Sequence, residues 1–122
     1  MLENLYQEAE NRKNNPKEGS YTNYLFDKGL DKILKKVGEE SSEVIIAAKN
    51  ADKDEIANET ADLLYHLAVM LVETGITPED VADVLKIRQG KQSRIHDRAK
   101  ITDYWHLGLT CQSSYSKISL NF

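Results

Sequence analysis

One stretch constrains the rest of this chain. Between Glu55 and Thr74 nearly every residue is apolar: Ile56, Ala57, Ala61, Leu63, Leu64, Leu67, Ala68, Val69, Met70, Leu71 and Val72. Wound as an α-helix at about 100° per residue, the stretch brings Glu59, Asp62, His66 and Glu73 into an arc of roughly 60°. A helix that is apolar around most of its girth is central, covered on several sides by neighbours. Its narrow polar stripe is then expected to face something specific inside a bundle.

The neighbours also read as helices. Leu2, Leu5, Tyr6 and Ala9 have amphipathic spacing and predict a first helix to about Lys13. The run from Asn14 to Gly19 is a breaker cluster, after which Ser20 or Thr22 suits the cap of a short helix ending near Gly29. Apolar residues at 30, 33, 34, 37, 44, 45 and 48 put one apolar face on a helix from Leu30 to Lys49. Asp52 followed by Glu55 resembles a capping box, and Gly75 suits the left-handed residue that closes a helix. Thr77-Pro78-Glu79-Asp80 starts a last helix that runs through Val81, Val84 and Leu85 to Arg88. No strand signal has comparable strength. The expected fold is all-α, a bundle of four to five helices.

Charge divides the chain. Residues 1–88 carry eleven basic and eighteen acidic side chains, whereas residues 89–122 carry five and two. The second segment shows no sustained period, so 1–88 reads as the domain and 89–122 as a C-terminal tail. A net charge of −4 argues against a nucleic-acid partner, which needs a basic face. No apolar run reaches the length of a membrane span, and the first residues lack an apolar signal core. The lone Cys111 excludes an internal disulfide framework and a multi-cysteine zinc site. A cytoplasmic setting is the expectation.

The acids carry the chemistry. Glu39, Glu40 and Glu43 lie on the helix before the apolar one, and Glu59 and Asp62 follow after a gap of fifteen residues. Helical neighbours at i and i+3 share a face, so each pair sets two carboxylates side by side. Helices joined by a short connection pack antiparallel, and the pairs then converge. Converged carboxylates stay ionised together only around a cation; otherwise some take up protons. All-oxygen ligands suit Mg²⁺ or Mn²⁺, and Mg²⁺ commonly shares its sphere with a substrate's phosphates. A single such pair is ordinary solvated helix surface; two pairs on adjacent helices are not. Lys32 and Lys36 precede these acids by one and two turns. They serve either as helix-stabilising ion-pair partners or as ammonium groups for phosphate oxygens. His66, one turn after Asp62, either orients a carboxylate or contacts substrate, or is structural. Tyr65 points elsewhere and reads as core, and Arg12 and Arg88 read as solvated.

These residues resemble a known family. The acid pattern resembles that of the all-α nucleoside triphosphate pyrophosphohydrolase, or MazG-like, superfamily. Ser20-Tyr21-Thr22, the segment 29–40 (GLDKILKKVGEE), 43–49 (EVIIAAK), 59–67 and Leu85 to Arg88 resemble the phosphoribosyl-ATP pyrophosphatase family of histidine biosynthesis. The resemblance covers residues 1 to about 88. It implies Mg²⁺-dependent hydrolysis of phosphoribosyl-ATP, a small-molecule nucleotide, to phosphoribosyl-AMP and pyrophosphate. It also implies a bundle completed by homodimerisation. Carried over by position, it makes Glu40, Glu43, Glu59 and Asp62 metal ligands, with Glu39 an extra ligand or water base. Lys32, Lys36, Ser20, Tyr21 and Thr22 would bind substrate phosphate or ribose. Lys49 matches a family position but falls on a different side of its helix from Glu43. Water, deprotonated by Glu39 or Glu40, would attack between the α and β phosphorus atoms. Cys111 has no assigned part. Two other functions fit the same residues: destruction of a non-canonical nucleoside triphosphate at the same metal site, or a non-enzymatic helical module whose acids are surface charge. The tail 89–122 departs from the family and does not resemble the cyclohydrolase domain fused to some members.

Overall fold

The computed structural model describes residues 1–91. They form five helices: α1 (Leu2–Asn14), α2 (Tyr21–Lys28), α3 (Leu30–Lys49), α4 (Lys53–Thr74) and α5 (Pro78–Lys91). There is no strand among the described residues, and the fold is all-α. The chain divides into two compact units, Met1–Pro78 and Glu79 onward. The expectations about the tail lie, from residue 92 on, outside the described residues.

Local chemistry places the helix ends. Ser20 caps α2, its hydroxyl accepting from the Asn23 N–H at 3.3 Å. Asn23 also fastens α2 to the end of α1: it donates to the Arg12 carbonyl at 2.7 Å and accepts from the Lys17 N–H at 2.9 Å. The Asp52 carboxylate caps α4 by accepting from the Glu55 N–H at 3.2 Å. The return half of a capping box is not made, because the Asp52 N–H donates to the Ala47 carbonyl instead. Gly75 closes α4 at φ +75, a conformation that costs a side-chain-bearing residue about 1–2 kcal/mol.

In the first unit α3 packs most extensively on α4, and α1 also lies against α4. The three-residue connection Asn50–Asp52 makes α3 and α4 antiparallel neighbours. Ala9, Leu25, Ile33, Val69 and Val72 form the buried core, edged by Tyr6, Phe26, Tyr65 and Met70. Leu25 and Ile33 are fully buried, each contributing about 1.5–3 kcal/mol by leaving water.

The apolar face foreseen on α3 is really two stripes. Ile33 and Ala47 are buried and Val37 and Val44 half-buried, and Glu40 is buried in the same stripe. Leu30, Leu34 and Ile45, by contrast, are 39%, 44% and 63% exposed. The apolar pattern marks every greasy position but not which ones this chain covers. The same holds for α4, whose Leu63, Leu64 and Leu67 remain half-buried while Ala68, Val69, Leu71 and Val72 are buried.

Candidate functional site

The α3–α4 pairing delivers the carboxylates. Glu40 and Glu43 from α3 and Glu59 from α4 each offer an oxygen, and these three atoms lie within 4.8 Å of one another. Asp62 is exposed and stands outside this close group. The α4 polar stripe is thus split: Glu59 turns to the acids of α3, His66 to α2, and Glu73 to Lys13 of α1 at 3.4 Å.

Electrostatics shows what the cluster lacks. One oxygen each of Glu40 and Glu59 (Oε2) is buried with no hydrogen-bond partner. Occluding an anionic oxygen without a partner is costly, and a bound cation relieves that cost directly. The Glu59 carboxyl is pushed up to about 7, first by a hydrogen bond shared with Glu43, then by desolvation and the charges of Glu43, Glu40 and Asp62. That is the proton uptake expected of crowded carboxylates without a cation.

Lys36 stands at the edge of the cluster. Its Nζ donates to Glu39 Oε2 and lies 3.2 Å from that atom and 3.2 Å from Glu40 Oε1. The bond to Glu39 holds the ammonium above its usual range, and Lys36 holds the exposed Glu39 below the usual carboxylate value. Lys32 adds a smaller share of the same field on Glu39. The ion-pair role foreseen for Lys36 is therefore present, on both Glu39 and Glu40.

The remaining predicted residues divide. His66 is buried, with Nδ1 2.7 Å from the Asp62 backbone carbonyl and Nε2 2.9 Å from the Tyr21 hydroxyl. It therefore orients Tyr21 and not a carboxylate. The Tyr21 hydroxyl lies in the field of Lys36, Glu40 and Glu39, and desolvation raises it above its ordinary value. The Thr22 hydroxyl is hydrogen-bonded to that of Tyr65. Tyr65 packs on the core as expected, its ring edge-on to His66. Ser20 is occupied as a helix cap. Lys49 is exposed in the last turn of α3 and does not line the hollow beside the acids.

That hollow, of about 310 Å³, is bounded by Glu43 and Glu59 and also by Asn50, Asp52 and Glu55. Sequence reasoning absorbed Asp52 and Glu55 into helix capping. The spacing of Glu55 and Glu59, four residues apart on α4, was a signal that both face one side.

Comparison with known proteins gives the family. A family profile for phosphoribosyl-ATP pyrophosphohydrolase matches residues 2–89. The chain is 80% identical to the phosphoribosyl-ATP pyrophosphatase of Streptococcus thermophilus over 104 residues, 85% of this chain and all of the relative. It is 62% identical to the protein of that name in Limosilactobacillus fermentum, covering 84% of this chain and 96% of the relative. For Listeria innocua the identity is 58%, over 84% and 99%. A profile match over most of the chain and relatives this similar along their whole length show that the chain belongs to the phosphoribosyl-ATP pyrophosphohydrolase family.

Proposed function

We propose that this protein hydrolyses phosphoribosyl-ATP to phosphoribosyl-AMP and pyrophosphate, the second step of histidine biosynthesis, with Mg²⁺ (or Mn²⁺) as cofactor. The observation that carries this reading is the convergence of Glu40, Glu43 and Glu59 within 4.8 Å, with two buried oxygens left unpartnered. An oxygen-only donor set of this charge fits a hard divalent cation. Glu40, Glu43 and Glu59 would hold it, and Asp62, one turn along α4, is the further ligand. The cation, when bound, would neutralise charge on the polyphosphate oxygens and lower the pKa of water.

The chain's own residues supply the rest. Lys36, and Lys32 one turn before it, put positive charge beside the acids, where the leaving pyrophosphate gains negative charge. Glu39 and Glu40 are the candidates for taking the proton of the attacking water. Lys36 lies 3.2 Å from both carboxylates and lowers the basicity of Glu39, and the unpartnered Glu40 oxygen is the one the cation would take. Ser20 and Thr22 act indirectly, by holding the start of α2, and Lys49 serves a separate site.

A homodimer in the cytoplasm completes the proposal. Leu30, Leu34, Ile45 and Ile46 of α3 are 39–63% exposed, and a second copy would cover them. No helix among the described residues is long and apolar enough to cross a membrane.

The test is pyrophosphate release from phosphoribosyl-ATP during a Mg²⁺ titration. Wild type should turn over only with the divalent ion. Glu40→Gln and Asp62→Asn should lose activity while keeping the wild-type circular-dichroism spectrum. Wild-type turnover by either variant at saturating Mg²⁺ would refute the assignment.

A further inference from the structure

A second hollow, of about 630 Å³, opens beside the start of α2, and two tyrosines stand along it. Tyr21 and Tyr24 are 44% and 42% exposed, and their rings stack at 6.1 Å and 29°. One turn further along α2, the Lys28 ammonium lies 5.8 Å from the centre of the Tyr24 ring. Lys28 is exposed and has no carboxylate within ion-pair reach among the described residues, unlike Lys13 and Lys36. At the other end of this row Tyr21 lies in the field of Lys36 and Glu40. Two aromatic rings thus stand between Lys36, which is neutralised by acids, and Lys28, which is not. The hollow itself is lined by one basic residue, Lys17, and two acidic ones, Glu18 and Asp27. It is no seat for a triphosphate, but its tyrosine wall suits a planar ring.

We propose that Tyr24 and Lys28 form a specificity subsite for the phosphoribosyl arm of the substrate, with the purine along the tyrosine pair and the arm's phosphomonoester on the Lys28 ammonium. This rests on the proposed reading that phosphoribosyl-ATP is the substrate. That molecule carries phosphate at both ends: a triphosphate on one ribose, a monoester on the second, and the purine between them. The chain repeats that order, with Lys36 and the acids, then Tyr21 and Tyr24, then Lys28. A phosphomonoester carries nearly two negative charges at neutral pH and makes a charge-assisted hydrogen bond to an ammonium. An ordinary nucleoside triphosphate has no such group to offer Lys28. Contact there distinguishes the substrate from ATP, whose triphosphate, ribose and purine are the same.

The experiment measures two quantities on the full chain with Mg²⁺ at fixed ionic strength. One is the KM for pyrophosphate release from phosphoribosyl-ATP, the other the Ki of ATP as a competitor of that reaction. Lys28→Ala should raise the KM about tenfold, the low end of what a hydrogen bond between charged groups contributes, and leave the Ki of ATP within about twofold of wild type. Lys28→Arg keeps a cation that bonds phosphate and should restore the KM to within about threefold of wild type. Tyr24→Leu should weaken both ligands by about threefold or more, because the purine is common to them. Both side chains are exposed, so all three variants should keep the wild-type circular-dichroism spectrum. A Lys28→Ala KM within about twofold of wild type, or an equal loss for ATP, overturns the proposal and leaves the proposed function standing. Tyr24→Leu with both ligands unchanged overturns it as well. If wild type releases no pyrophosphate from phosphoribosyl-ATP, the proposed function itself fails and the subsite with it.

Discussion

Glu40→Gln should make this protein more stable without divalent ions and less stable with them. The Glu40 and Glu43 oxygens lie within 4.8 Å. Two full charges at that distance repel by about 3.5 kcal/mol at an effective dielectric near 20. Glu43 is exposed, and solvent screening brings the figure down to about 1 kcal/mol. The opposing loss is the Lys36–Glu40 ion pair at 3.2 Å, worth about 0.3–0.5 kcal/mol for an i,i+4 pair on a helix. Glutamine keeps the side-chain volume, so packing contributes little. The balance favours the variant by about 0.5 kcal/mol, a rise in Tm of roughly 2–4 °C for a domain of this size. A cation reverses the order. A ligand that binds only the folded state stabilises it by about 2.7 kcal/mol at a hundred times its Kd, and the variant has lost a ligand group. Thermal unfolding by circular dichroism checks this, first in EDTA and then across a MgCl₂ or MnCl₂ series at fixed ionic strength. A wild-type Tm indifferent to both ions, or a variant less stable in EDTA, would refute the reasoning.

Three further outcomes follow from the same geometry. Glu59 is held at about 7 against an ordinary 4.5, so the folded chain keeps a proton that the unfolded chain has released. Cation-free stability should therefore fall as pH rises from about 4.5 to about 7 and level off above, a slope that Glu59→Gln removes and saturating Mg²⁺ suppresses. Tm measured in EDTA from pH 5 to 8 reads it. Gly38 lies inside α3, and a Cβ there would meet nothing within 4 Å. Gly38→Ala should raise stability by about 1 kcal/mol in urea unfolding, and a loss would mean that a second chain packs there. Leu25→Ala empties a fully buried site and should cost about 2–5 kcal/mol, visible as a lower urea midpoint at unchanged slope.

The sequence alone determined what depends on near neighbours. Helix caps, breakers and periods act over a few residues, which is why Ser20, Asp52 and Gly75 end their helices where expected. The i,i+3 acids were legible for the same reason, and so was the family, whose pattern lies in contiguous segments. Only the tertiary structure decided what depends on distant partners. His66 meets Tyr21 across 45 residues of chain and Thr22 meets Tyr65 across 43, so periodicity could not show which side chain each hydroxyl bonds. Spacing put Glu59 and Asp62 on one face, but the crossing of α3 over α4 brings only Glu59 into the close cluster. It also sorts the apolar positions of α3 into a covered stripe and an exposed one. A side chain's angle on its helix is set locally; what occupies the space it points into is set by the packing of other helices.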